Sequence, residues 1–162
     1  MPPFSAAEQL VRVASREVGT KEEPRNSNRG ERVEEYQSAT WLSGTGWPWC
    51  AAFVCWCLRR VEKIRGSELP FDLPTTPRAF EFEEWGEQQG LSVIYDPKAK
   101  DLQRGDIVTF DFSHIGIIAG EVKPKTARTI EGNTDQSGSR EGGGVYRATR
   151  DIKLFRARIR LP

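Results

Sequence analysis

G46-W47-P48-W49-C50-A51-A52-F53-V54 sets a cysteine between a Trp-Pro-Trp turn and a run of apolar residues. Pro48 suits a helix entry and cannot continue a helix toward the N-terminus, so the pattern predicts a helix beginning at Cys50. Residues 50–58 are apolar on every side, and the chain then turns basic at Arg59, Arg60 and Lys63. That is the pattern of a helix buried in a core over residues 50–63, with cations near the end where the macrodipole favours them. The N–H groups of its first turn have no partner within the helix. A thiol placed there ionises more readily than a free one, and the thiolate is the nucleophile. The same N–H groups can hold the oxygen of an attacked carbonyl. Cys55 and Cys57 fall one to two turns further in, where desolvation keeps a thiol neutral. Simple packing is the competing account of Cys50.

The flanking segments predict a run of helices and then a run of strands. Ser5-Ala6-Ala7-Glu8 matches a capping box, and Ala7, Val11, Ala14 and Val18 recur at helical spacing before Gly19, which predicts a helix over residues 5–18. Residues 20–30 are polar and read as a loop, and residues 32–38 predict one or two helical turns. Thr75-Thr76-Pro77 predicts another helix start, with Ala79, Phe82 and Trp85 on one face and Gly90 as its stop. Residues 107–112, 114–120, 128–131, 144–149 and 152–159 are short, β-branched and aromatic, and turn residues separate them. Helices followed by strands predict an α+β domain with an antiparallel sheet. The alternation R156-A157-R158-I159-R160 reads as an edge strand guarded against pairing. Residues 136–144 read as a mobile loop.

A chain of 162 residues predicts one domain, long enough to fold without a disulfide or metal. With 37% hydrophobic and 29% charged residues, its composition is that of a globular protein. A formal net charge of +1 gives no electrostatic case for nucleic acid, and no apolar run is long enough to insert in a membrane. The first residues show neither a basic nor an apolar signal region, so synthesis in the cytoplasm without a signal peptide is expected. Three clustered cysteines and one histidine are too few soft ligands for a structural zinc site, and C-x-C on a helix splays its sulfurs by about 200°. No cofactor or metal is expected.

His114 is the sole histidine and opens the strand I115-G116-I117-I118. If Cys50 attacks, His114 has no competitor as its base. A triad further needs a group that fixes the imidazole tautomer. Glu131 and Asn133 would point to the same side of an extended segment, and either could reach His114 Nδ1. Trp47 and Trp49 flank the cysteine and could stack on sugar rings or on the apolar side of a peptide. Asn28 and Arg29 offer donors suited to carboxylates.

Taken together, P48-W49-C50-A51-A52-F53-V54, G105-D106-I107-V108-T109-F110, H114-I115-G116-I117-I118 and I130-E131-G132-N133-T134 resemble, in order, the signatures of the CHAP family. The name stands for cysteine, histidine-dependent amidohydrolase/peptidase. The resemblance implies a papain-like α+β fold with N-terminal helices, its cysteine-bearing central helix packed on an antiparallel sheet of about five to six strands. It further implies Cys50 as nucleophile, His114 as general base, Glu131 as the residue orienting His114, and Asn133 as a fourth polar member. The implied substrate is bacterial peptidoglycan, cut at N-acetylmuramoyl-L-alanine bonds or at peptide bonds of stems and cross-bridges. The implied setting is the cell wall, reached with a holin or a secretion apparatus, and the expected state is a monomer. An intracellular amidase on a glutathionylspermidine-type conjugate is the alternative enzyme, and an inactive wall-binding protein the alternative without chemistry. Several lysins of the family carry an acidic calcium-binding stretch ahead of the cysteine. Here S43-G44-T45-G46-W47-P48 has no carboxylate.

Overall fold

Ser5 caps the first helix, α1 (Ala6–Glu17), its side chain accepting a hydrogen bond from the Glu8 backbone N–H at 3.1 Å. The other half of the expected capping box is not formed. The Glu8 carboxylate instead pairs with Arg12 at 3.1 Å and with Arg104 at 2.8 Å, tying α1 to a distant loop. Three further helices follow in this computed structural model, which describes residues 4–140 and 142–162: α2 (Glu31–Gln37), α3 (Cys50–Arg65) and α4 (Glu81–Gln88). Residues 1–3 of the segment read for a signal, and Glu141 of the 136–144 loop, lie outside the described residues.

α3 begins at Cys50, as the Trp-Pro-Trp turn predicts, and ends at Gly66, whose φ of 68° suits a residue without a Cβ. Phe53, Val54, Leu58 and Val61 on this helix are fully enclosed, each burial stabilising the fold by about 1.5–3 kcal/mol. α4 starts later than Thr75-Thr76-Pro77 predicts. The Thr76 hydroxyl accepts from the Arg78 N–H and donates to the Glu81 carboxylate, both at 3.1 Å, which closes a separate turn before the helix. Ala79, Phe82 and Trp85 are buried as their spacing predicts.

Six strands form one antiparallel sheet: β1 (Ser92–Tyr95), β2 (Ile107–Phe110), β3 (His114–Val122), β4 (Thr126–Thr134), β5 (Gly144–Asp151) and β6 (Phe155–Arg160). Their spatial order is β1-β6-β2-β3-β4-β5. The α+β, papain-like expectation therefore holds, with the cysteine-bearing helix against the sheet. β1 is missing from the sequence reading although Val93, Ile94 and Tyr95 favour a strand, because four residues with exposed ends are too short a run to show a period. Its presence corrects the reading of residues 156–160, since β6 lies inside the sheet between β1 and β2. The arginines there have interior partners rather than an edge to guard. Arg156 pairs with Glu83 at 2.7 Å, Arg160 pairs with Asp106 at 2.8 Å, and buried Arg158 donates to Ser92 Oγ at 2.8 Å.

The sheet is covered on both faces. Ile107, Ile115, Ile117 and Ile130 pack with α3, whereas Val108, Phe110, Ile118 and Phe155 form a second cluster. Successive residues of a strand point to opposite faces, so Ile117 and Ile118 serve different clusters. Gly132 allows β4 to lie directly on the first turn of α3. A Cβ there would fall 2.8 Å from Phe53 Cβ and 2.9 Å from the Trp49 ring. Among the described residues, no helix is long and apolar enough to cross a membrane.

Candidate active site

Cys50 is the first residue of α3, and the Trp49 carbonyl before it accepts the first helical bond, from the Phe53 N–H at 2.9 Å. The Trp49 N–H donates in turn to Asn133 Oδ1 at 2.7 Å. A side chain near the end of β4 thus pins the entry of the helix that carries the thiol. Cys50 retains 8% of its surface, and His114 and Glu131 retain none. The thiol is therefore more enclosed than its place beside a turn suggests.

His114 opens β3 directly after Ser113, whose φ of 56° completes the turn. Its Nε2 lies 2.8 Å from Glu131 Oε1. Nδ1 closes no hydrogen bond, and Cys50 is near enough to act on the ring. Phe112 stacks on the imidazole at 5.8 Å and 15°, with Phe110 tilted against it at 5.5 Å. Burial alone pushes the imidazole toward its neutral form. Cys50 and Glu131 outweigh that and raise its pKa to about 9.

Glu131 is itself held by a network. Burial favours its neutral form, but Arg150 and His114 keep its pKa at about 2. Arg150 grips both carboxylate oxygens, Nε to Oε2 at 2.8 Å and Nη2 to Oε1 at 2.5 Å, and the Thr129 hydroxyl donates to Oε2 at 2.5 Å. The guanidinium lies over the rings of Phe110 and Phe112 and donates to the Gly138 carbonyl at 3.0 Å. Gly116 makes room for this carboxylate, because a Cβ there would meet Glu131 Cγ at 2.7 Å.

Three sequence expectations need correction. Glu131 binds His114 at Nε2 rather than Nδ1, which leaves Nδ1 for the sulfur. Asn133 does not reach His114. The β4–β5 register shifts between Glu131 and Thr134 and Asn133 has φ of 57°, so strand alternation fails there and the two side chains part. Asn133 Nδ2 donates to the Gly142 carbonyl at 2.9 Å and to Asn28 Oδ1 at 3.2 Å, with Glu22 Oε1 at 3.4 Å. Trp49, expected to stack on substrate, is fully buried. Its ring stacks on Tyr36 and its indole N–H donates to Glu22 Oε1 at 2.9 Å, leaving no face for a ligand.

Trp47 is half-buried, its indole N–H donating to the Gly44 carbonyl at 3.1 Å. Asn28 and exposed Arg29 sit against the same turn. The Asn28 carbonyl accepts from the Gly46 N–H at 3.3 Å, and Arg29 Nη2 donates to Thr45 Oγ1 at 2.9 Å. Gln37 Nε2 bridges the carbonyls of Asn28 and Trp47. The loop before α2 and the turn before Cys50 are therefore one hydrogen-bonded unit.

Arg150, Thr129 and Glu22 escape sequence reasoning. Glu131 faces Tyr146 across the β4–β5 ladder and Arg150 faces Ala127, so only the folded strands bring Arg150 along to the carboxylate. Cys55 and Cys57 are buried, and burial pushes both thiols up, with the Cys55 Sγ donating to the Thr76 carbonyl at 3.4 Å. Cys55→Ala is expected to keep full thiol chemistry and to lose about 1–2 kcal/mol of stability. Thermal melting alongside a turnover assay checks this, and lost turnover in a fully folded variant contradicts it.

Cavity volume does not mark this site. A cavity of about 540 Å³ is lined by Arg16, Arg32, Trp56, Arg59 and Lys63 among others, and neither Cys50 nor His114 lines it. What distinguishes the pair is a thiol at a helix start beside an imidazole whose far nitrogen is fixed by a buried carboxylate.

A search of curated proteins returns no match, and neither does a search of solved structures. The family model for the CHAP domain matches residues 42–133, more than half of the chain, and spans Cys50, His114, Glu131 and Asn133. The chain belongs to the CHAP family, whose domains are in general peptidoglycan amidase- or peptidase-type hydrolases dependent on cysteine and histidine.

Proposed function

We propose that the protein hydrolyses amide bonds of bacterial peptidoglycan through a thiolate nucleophile and an acyl-enzyme. The bond is an N-acetylmuramoyl-L-alanine amide or a peptide bond of a stem or cross-bridge. The observation that carries the reading is the Glu131–His114 pair at 2.8 Å, with the second imidazole nitrogen left to the Cys50 thiol at the start of α3. Cys50 passes its proton to His114 and attacks the carbonyl carbon. The Cys50 N–H, without an intrahelical partner at the start of α3, steadies the oxyanion. The imidazolium then protonates the leaving amine, the C–N bond breaks, and a thioester remains. Water gives a proton to the neutral imidazole as it attacks, and the thioester breaks to release the acid and the thiol.

Glu131 supports the cationic form of His114 at each stage, and Arg150 holds Glu131 in place. Asn133 acts as a positioning residue on the Trp49 backbone. Trp47, Asn28 and Arg29 border the turn before the nucleophile and are the side chains available to a glycan-linked peptide. The enzyme acts as a monomer at the cell wall, delivered there by a holin-like partner or an export device. Mass spectrometry of the fragments released from purified sacculi tests this reading, because new amino and carboxyl ends identify the bond. Turnover of soluble glutathione-type amides, with none on sacculi, would replace it by the small-conjugate amidase.

The titration of His114 sets a pH limit. Its pKa is raised from 6.5 to about 9, so the stability it contributes is complete below 6.5 and is lost as pH rises through about 9. Glu131 is lowered from 4.5 to about 2, so its contribution is complete above 4.5 and is lost as pH falls through about 2. The rate is expected to fall on the alkaline side near pH 9, where the pair loses the proton destined for the leaving amine. A rate profile that stays flat through pH 10 contradicts this assignment.

A further inference from the structure

We propose that a cavity beside the active site is a recognition subsite for an amino-acid head group, one carbon bearing both an ammonium and a carboxylate. The cavity has a volume of about 360 Å³ and is lined by Lys21, Glu22, Arg25, Asn26, Asp135 and Tyr146, together with Gly143. Glu22 retains only 5% of its surface. Its Oε1 accepts from the Trp49 indole at 2.9 Å and from Asn133 at 3.4 Å, whereas its Oε2 is buried without a hydrogen-bond partner. Leaving such an oxygen unpaired is costly, which points to a donor arriving from outside.

The space for that donor is present. A Cβ built on Gly143 would lie 3.6 Å from Glu22 Oε2 and 3.7 Å from Asn26 Oδ1, so both oxygens lie close to Gly143 at the cavity wall. Two acceptors, one of them charged, thus line the same cavity beside Gly143. An ammonium, with three donors and a positive charge, matches both. A lone cation would account for the carboxylate but not for Lys21 and Arg25 on the rim, which are exposed and make no ion pair among the described residues. They suit a carboxylate next to the ammonium. Glu22 also links the cavity to the chemistry, since its other oxygen holds Trp49, the residue before Cys50.

The subsite deepens the peptidoglycan reading and rests on it for the idea that the head group belongs to a stem peptide. The side chain of meso-diaminopimelate ends in such a group, whereas that of lysine ends in an ammonium alone. The test is an NMR titration of the Cys50→Ala protein with the tripeptide L-Ala-γ-D-Glu-meso-diaminopimelate and with its L-lysine counterpart. The diaminopimelate peptide is expected to shift the amides of Glu22, Asn26 and Gly143 and to bind about tenfold more tightly than the lysine peptide. Glu22→Gln is expected to weaken both peptides. Arg25→Ala alters an exposed side chain, spares the fold, and is expected to cut the preference about threefold. Equal affinity for the two peptides, shifts confined to other residues, or the same shifts from calcium chloride alone would each overturn the subsite. Because binding is read without turnover, a wild-type protein that cleaves no wall bond counts against the hydrolase reading and not against this one.

Discussion

Cys50→Ala is expected to yield a folded protein that releases no fragments from purified sacculi, a loss of roughly 10⁴-fold or more in kcat. The size follows from the chemistry. Without the sulfur there is no covalent intermediate, and His114 has no partner to deprotonate. What remains is whatever binding and the oxyanion donors provide to attack by water. The structural cost is small, because the change removes one atom from a residue that keeps 8% of its surface and forms the first position of α3. Stability to unfolding should drop by about 1 kcal/mol. Dye release from labelled sacculi and a melting curve check both parts, and wild-type cleavage by the variant would sink the mechanism.

The second large effect is expected at Glu131. Glu131→Gln should lower kcat roughly 10³-fold, since an amide cannot support an imidazolium as a carboxylate does. It should also destabilise the protein by about 3–5 kcal/mol, because Arg150 would be left as a buried cation without its partner. Arg150→Met should destabilise similarly, leaving Glu131 with only His114 and Thr129. The two losses ought not to add. The double variant Glu131→Gln, Arg150→Met removes both charges and should regain stability relative to either single one, while activity stays low. A positioning role is separated from a structural one by the pH profile. In folded Glu131→Gln the alkaline fall should move well below pH 9, and a limb that stays at pH 9 would show that Glu131 does not govern His114.

The corrections share a common origin. A period-two reading put Glu131 and Asn133 on one side, and the register shift with positive φ at Asn133 separated them. The edge-strand reading of residues 156–160 failed because β1, only four residues long, pairs with β6. Trp49 looked available for substrate because it adjoins Cys50, but its partners Tyr36 and Glu22 come from outside that stretch. In each case a local pattern was read correctly, and a contact between remote segments changed its meaning.

Cys50 and His114 were legible because local chemistry marks them, as a helix start and a sole histidine, whereas the residues left Glu131 and Asn133 open and only the family resemblance favoured Glu131. The sequence by itself determined the order of helices before strands, the start of α3 at Cys50, and the division between one thiol at the helix start and two deeper within it. Those features depend on neighbours a few residues apart, through capping, periodicity and desolvation. Only the tertiary structure decided which imidazole nitrogen meets Glu131, that Arg150 braces the carboxylate, and that Asn133 anchors the backbone before Cys50. Strand register and the packing of β4 on α3 set those pairings, and both arise from side chains far apart in the chain competing for the same buried space.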